Sequence, residues 1–392
     1  MAWGRTRLAV NVFGTFVVFM SFTALTWLNL LGRWAFGTVV AVIVIGCLGL
    51  LLRSKPDMRW WGAPKAVGLF VLYALVMVAV SPPVEGGLFV IAAIVAVSAA
   101  GLFFALVLSW PELLRVLEYG LRWVIGLSLV WELVVAVFVR HPVPAPFAGV
   151  AGSGAAEPML SEANLFSGGP VLGVTGTELL PLTALFAVIV WSIRLGSSSW
   201  RLQRPTRRFW LIVWIALALV TLALTRSPDV IAGLGLVGIA VGFVLWGRAA
   251  GPAGRLPVYL VMALVVAAGI TTAIVFSPEL TEYFGHWIGI PGQAAPATTW
   301  PGVWGRLNLL GVVLLAMVFV SSLWRAWFRA VDRAQVRPAE PQPYQSSAML
   351  AFLVVTLLLA ASLTGGLLVA ATGGIWLITF TTKSKLDIII SS

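Results

Sequence analysis

The feature that most limits what this chain can fold into is a succession of long apolar runs joined by polar connectors. About 12 of them are read along the sequence, at 10–31, 35–52, 66–80, 86–109, 121–139, 179–193, 209–225, 229–247, 257–276, 307–323, 347–362 and 364–380. Runs of this length suit an α-helix crossing a hydrocarbon layer ~30 Å thick. They do not suit an outer-membrane barrel, whose strands alternate apolar and polar residues over about 10 positions. Inside a bilayer a helix satisfies its own backbone hydrogen bonds, so apolar side chains can cover every face. Only 10% of the 392 residues are charged, against about 25% in soluble domains. The expected fold class is therefore all-α: a polytopic membrane protein with about 12 transmembrane helices, forming one integral membrane domain over 1–392. The first run follows Arg5 and Arg7. It is too long for the apolar core of a signal peptide and lacks a small-x-small cleavage site, so it reads as an anchor.

The basic residues set the orientation. With the N-terminus placed in the cytoplasm, 21 of the 25 Lys and Arg fall on cytoplasmic segments, and Arg33, Arg140, Arg226 and Arg306 remain outside. This is the asymmetry expected when positive residues are retained inside, and it puts the C-terminus in the cytoplasm as well. The net charge of +11 is then mostly charge beside anionic lipid. No basic groove interleaved with aromatics lies outside the runs, so nucleic acid is not an expected partner.

Chemistry based on metals or cofactors has little to work with. The single Cys47 excludes an intramolecular disulfide, and His141 and His286 are the only histidines, so neither a metal nor a cofactor is expected. Nucleotide-binding glycine fingerprints and the Gly-x-Ser-x-Gly elbow are absent. The glycines of "GLGLVG" at 233–238 lie within a run and read as helix packing.

Two sizeable loops are expected on the outer side. The first, 140–178, starts extended at Pro142, Pro144 and Pro146 and continues through small residues expected to be mobile, until "NLFSGGPVLG" opens the next hydrophobic entry. The second, 277–304, carries an amphipathic helix over 278–288: Leu280, Tyr283, Phe284, Trp287 and Ile288 form one stripe, with Glu279, Glu282 and His286 opposite. Glu282 and His286 stand at i, i+4 spacing, which suits a general base oriented by a carboxylate. An anchoring helix whose polar side merely faces water accounts for the same pattern.

The four outer arginines divide similarly. Arg33 can snorkel to headgroups from a tight connector. Arg140 beside His141 is either an anchor or a ligand. Arg226 sits in a connector of a few residues, with Pro228 and Asp229 opening the next helix. Arg306 follows "WPGVW". Guanidinium groups there could clamp a phosphate bidentately. Glu132, in "SLVWELVVAV", is the one ionisable residue deep in a run, serving either a proton or ion path or a structural hydrogen bond to a neighbouring helix.

Three stretches carry a family resemblance: "LFSGGPVLGVTG" before span six, "LALTRSPDVIAGL" between spans seven and eight, and "LNLLGVVLLAMVFVSSLWRAWFRAVDR" at span ten. Together with the span count and the loop before span ten, they resemble the O-antigen ligase and polymerase superfamily, particularly the exopolysaccharide-production proteins of actinobacteria. The resemblance implies a GT-C-like membrane glycosyltransferase of the bacterial cytoplasmic membrane, acting in polysaccharide biosynthesis for the cell envelope. Such an enzyme moves a glycan from undecaprenyl diphosphate to a lipid or glycan acceptor at the outer face, without nucleotide sugar or metal. Arginines hold the diphosphate and a loop histidine is the base. Arg226 matches the hairpin arginine by motif; Arg306 and His286 match by residue type and loop. The chain departs from the family in three places: Pro170 stands where an arginine is usual, "TGTELL" replaces an Asn-rich continuation, and "WGRLNLLG" replaces a His-Asn pair. A catalytically degenerate relative, or a non-catalytic transporter or lipid-glycan export component, is the alternative reading.

Overall fold

Apolar runs free of interior breakers become helices, and their ends fall where proline, glycine and charge accumulate. The computed structural model describes residues 2–54, 64–80, 87–147, 159–166, 168–175, 179–196, 205–251, 254–275, 300–331, 346–364 and 371–391. Among the described residues the α-helices are α1 (Ala2–Phe22), α2 (Ala24–Ser54), α3 (Lys65–Val80), α4 (Gly87–Leu106), α5 (Trp110–Val134), α6 (Leu179–Gly196), α7 (Pro205–Thr225), α8 (Pro228–Ala250), α9 (Arg255–Val275), α10 (Trp300–Val331), α11 (Leu350–Thr364) and α12 (Ala371–Ser391). One π-helical turn, Val135–Val139, prolongs α5. Within α2, α5, α6, α7, α8 and α10 lie six segments long and apolar enough to cross a membrane. The chain is an all-α membrane protein.

The distribution of exposed side chains supports this class. On α2, Val42, Ile45 and Leu52 are 63%, 70% and 77% exposed, apolar surface that water would not tolerate on a soluble helix. At the other extreme, 72% of α6 is buried inside the bundle. It packs against α5, α7, α8 and α11, so protein rather than lipid surrounds most of it. The interior is knit by aromatic rings from four helices. Trp376 of α12 lies 5.9 Å from Phe22 of α1, 5.0 Å from Phe104 of α4 and 5.6 Å from Phe186 of α6. Small residues bring helices close where apolarity alone gives no preference over lipid. A β-carbon on Gly120 of α5 would come within 2.4 Å of Val18 Cγ1 on α1, and one on Gly101 of α4 within 2.8 Å of Ile378 on α12.

Two helices contain kinks. The boundary expected between the first two spans, at 32–34, is a kink rather than a loop. The chain leaves α1 at Thr23, re-enters helix at Ala24 and kinks at Gly32, where φ is 74° and ψ 170°. That conformation suits glycine and strains residues with a β-carbon. In α10 the kink falls at Asn308, with φ 55° and ψ −177°. The glycines of "GLGLVG" lie inside α8, as expected. Gly233 packs close to Leu185, but a β-carbon on Gly235 or Gly238 would meet nothing within 4 Å, so packing accounts for only the first of them.

Contacts sort the charged residues into two ends of the bundle. At one end Arg7 pairs with Glu112. Glu112 accepts hydrogen bonds from the Ser109 N–H (2.9 Å) and hydroxyl (2.7 Å), forming the capping box of α5. Nearby, Glu118, 3% exposed, accepts from Arg122 Nη2 at 2.5 Å and from Arg194 Nε at 3.1 Å. Arg248 Nε donates to the Ala330 carbonyl at 2.7 Å, and Lys383 Nζ donates to the carbonyls of Ala105 (3.2 Å) and Leu108 at the end of α4. The opposite end carries Glu132, near the end of α5, and the connections that contain Arg140 and Arg226.

Candidate functional site

The site is built where α5 runs out. Ser128 and Glu132 are one turn apart on α5 and therefore share a face; they are 1% and 0% exposed. Both are used to hold the loop 140–178. Glu132 Oε2 accepts from the Ser161 hydroxyl at 2.9 Å, and Oε1 accepts from the Gly173 N–H at 2.8 Å. Ser128 Oγ accepts from the Val174 N–H at 3.2 Å. The adjacent Trp131 donates through Nε1 to the Leu160 carbonyl at 3.2 Å. These bonds meet the requirement that buried polar groups be paired; the buried Thr175 hydroxyl has no partner among the described residues. The buried carboxylate is an anchor for the loop. Its partners are on the loop rather than on a neighbouring helix.

The small residues expected to be mobile, over 148–158, lie outside the described residues; the described parts on either side of them are structured. Val143–Pro144 forms a short strand, β1, pairing antiparallel with β2, Met159–Ser161. The proline-rich start is extended, as expected; the pairing partner lies beyond reach of local patterning. After β2 the chain turns at Ala163, with φ 58°, and Ser161 Oγ accepts from the Ala163 N–H at 3.2 Å. Asn164 then holds the turn. Its Nδ2 donates to Glu162 Oε2 at 2.6 Å and to the Pro170 carbonyl at 3.4 Å, and its own carbonyl accepts from the Gly168 N–H. A β-carbon on Gly169 would fall within 2.4 Å of that side chain. "NLFSGGPVLG" leads into span six without being helical itself: Gly168–Thr175 is an irregular segment ending in a 3-10 turn, Gly173–Thr175, and α6 starts at Leu179, where the sequence placed the span. The segment leans on the bundle from two further sides. Thr26 of α2 donates to the Val174 carbonyl at 2.6 Å, and the Val171 N–H donates to the Leu224 carbonyl at 3.3 Å.

That last bond brings "FSGGPVLG" against the α7–α8 connection. The connection is two residues long, Arg226 and Ser227, between the ends of α7 and α8. Arg226 has φ 48° and is exposed. Its guanidinium lies over Gly168: a β-carbon there would stand 3.5 Å from Nη2 and 3.8 Å from Nη1. No described carboxylate pairs with it. Ser227 caps α8 through its extended backbone, but its side chain makes no capping hydrogen bond. Arg226 thus precedes the N-terminus of a 23-residue helix by two residues, and a guanidinium and a helix N-terminus each favour an anion.

Of the other residues expected at the site, Arg140 is the one whose side chain is described. Arg140 ends the π-turn in a left-handed conformation (φ 60°, ψ 15°), and its Nε donates to the Val137 carbonyl at 2.9 Å, which closes the C-terminus of its own helix. Arg306 lies in the short stretch of α10 before the Asn308 kink; its side chain lies outside the described atoms. Glu282, His286 and the helix expected over 278–288 lie outside the described residues. Ser161, Asn164 and Thr26 were not visible as site residues in the sequence. Ser128 could have been found, since it precedes Glu132 by four. No protein-family model matches the chain, and no curated protein or solved structure matches it either.

Proposed function

We propose that the chain is a multi-pass protein of the bacterial cytoplasmic membrane, with about 12 crossings and both termini inside. In this reading it transfers a glycan from undecaprenyl diphosphate to a lipid or polysaccharide acceptor at the outer face. The observation that supports it best is the packing of "FSGGPVLG" against "TRSPD", which leaves the Arg226 guanidinium exposed over Gly168. These are two of the three stretches on which the resemblance to O-antigen ligases and polymerases rests. The donor's diphosphate sits against Arg226 and the start of α8, with Arg306 and Arg140 as further ligands. An acceptor hydroxyl attacks the anomeric carbon, the bond from that carbon to the diphosphate oxygen breaks, and the diphosphate leaves on its lipid. The hydroxyl proton passes to His286, oriented by Glu282. Fixed positive charge at the leaving group supplies the electrostatic part of the acceleration.

The test is transfer from a purified polyprenyl-diphosphate-linked glycan, with wild type compared with Arg226→Ala and His286→Ala. Loss of transfer in both variants supports the reading. Equal activity in all three proteins removes the site assignment. Retention of the donor lipid by wild type without transfer makes the chain a non-catalytic glycan-lipid binder, the reading that Pro170 in place of the family arginine favours.

A further inference from the structure

The turn that places Gly168 beneath Arg226 also carries Glu162, Asn164 and Phe166, and it is held from several sides. Ser161, just before it, is tied to the buried Glu132. Just after it, the Val171 N–H is tied to the Leu224 carbonyl near the end of α7. Within it, the Gly168 N–H donates to the Asn164 carbonyl at 3.2 Å, which closes the turn with Phe166 at its middle. Phe166 is nevertheless 71% exposed. Successive Cα atoms are about 3.8 Å apart, so the Phe166 Cα stands within about 7.6 Å of the Gly168 Cα. Gly168 is the residue over which the guanidinium lies, 3.5 Å separating Nη2 from a β-carbon placed there.

Glu162 precedes this turn and Arg226 lies over its far end; their charges are opposite, and they do not pair. The Glu162 carboxylate accepts through Oε2 from Asn164 Nδ2 at 2.6 Å, and Oε1 accepts no hydrogen bond among the described residues. The salt bridges among those residues do not include Arg226. Asn164 Nδ2 also reaches the Pro170 carbonyl, so one amide fixes the carboxylate relative to the turn. A carboxylate kept from the guanidinium is left to accept from a ligand. Hydroxyls suit it, because an O–H donating to an ionised carboxylate makes a charge-assisted bond. The phenyl ring, placed in the chain between the two charges, offers a flat apolar face. A ligand that uses all three groups is anionic at one end, carries hydroxyls, and has an apolar ring face: a pyranose joined to a phosphate.

We infer that Glu162 and Phe166 form a subsite for the pyranose attached directly to the donor's diphosphate, Glu162 accepting from two vicinal hydroxyls and Phe166 stacking on the C–H face of the ring. The inference rests on the glycan-transfer reading for the diphosphate at Arg226 and adds recognition of the first sugar. A turn that is already fixed gives up little conformational freedom when the sugar docks, so its contacts are expressed as affinity.

The experiment uses the full chain purified in detergent and measures equilibrium binding of two radiolabelled lipids, undecaprenyl diphosphate and undecaprenyl diphosphate glucose. Wild type is expected to bind the glucosylated lipid about a hundredfold more tightly. Glu162→Gln and Phe166→Ala each lower that preference about tenfold, and affinity for the bare lipid stays as in wild type, which shows the turn intact. Phe166→Trp keeps the preference. Phe138→Ala removes a comparably exposed ring, 79% exposed, from the turn that prolongs α5 and changes neither affinity. Arg226→Ala weakens both lipids alike. Equal binding of the two lipids by wild type, or a preference that survives Glu162→Gln and Phe166→Ala, overturns the subsite and leaves the diphosphate reading standing. A loss shared equally by both lipids makes the ring a membrane anchor, or the carboxylate a structural part of the turn, and also overturns the subsite. Wild type that binds neither lipid overturns the subsite together with the glycan-transfer reading.

Discussion

Glu132 offers the most direct test of how the loop is held. Its carboxylate is 0% exposed and accepts two hydrogen bonds, from the Ser161 hydroxyl at 2.9 Å and the Gly173 amide at 2.8 Å. Hydrogen bonds to a charged group contribute about 1.5–3 kcal/mol each. Glu132→Ala removes both acceptors and strands two buried donors, an expected cost of about 3–5 kcal/mol. Glu132→Gln keeps the shape and one acceptor but turns an amide N–H toward the other donor, so about 1.5–3 kcal/mol is expected. Ser161→Ala removes one donor and leaves the carboxylate with Gly173, at about 1–2 kcal/mol. Unfolding in detergent, followed by tryptophan fluorescence, gives the global values. Hydrogen exchange over 159–175 gives the local ones, and each 1.4 kcal/mol appears there as about tenfold faster exchange. Because Glu132 and Ser161 share a bond, the double variant should show a coupling of about 1–2 kcal/mol. Additivity within about 0.3 kcal/mol, or exchange in the Gln variant as slow as in wild type, would falsify the anchoring role.

Other expected outcomes are more local. Arg226→Gly relieves the left-handed backbone at φ 48° and should raise stability by about 1 kcal/mol, while glycan transfer falls by about a hundredfold or more; a drop in both, read by thermal unfolding and donor turnover, would count against a functional guanidinium. Glu118→Ala leaves Arg122 and Arg194 beside each other without their shared carboxylate and should cost about 3–5 kcal/mol in detergent unfolding. Gly120→Val places side-chain atoms where Val18 already stands, and at least about 1–3 kcal/mol of overpacking is expected, relieved by Val18→Ala in the same chain.

Helix existence was legible because a membrane helix announces itself through composition; the irregularities were not. The run at 179–193 looks weakest in the sequence, being short and containing Pro181 and Thr183. Yet α6 is the most enclosed of the helices long enough to cross a membrane. Its mean hydropathy is no lower than that of α5 and above that of α8, so the faint signal came from the shortness of the run and not from its composition. The connector expected at 32–34 is a kink within α2, set by the backbone of Gly32; hydropathy reads the interruption but not its conformation. At the loop end the failure is one of range. Ser128 and Glu132 share a helix face and were readable together, whereas Ser161 and Gly173 reach them from 29 and 41 residues beyond Glu132. Only the folded chain shows that the buried acid is there for the loop.

The two-residue connection at Arg226 and Ser227 also makes that end of the molecule a gauge. Helices α7 and α8 have 21 and 23 residues, about 32 and 35 Å of axis, close to the thickness of a bilayer's hydrocarbon core. With no slack between them, the height of the guanidinium follows directly from helix tilt. Tilt in turn answers to bilayer thickness. In the proposed reading, a lipid-borne phosphate has its height fixed by the same bilayer, so Arg226 and the headgroup would be levelled against one reference surface.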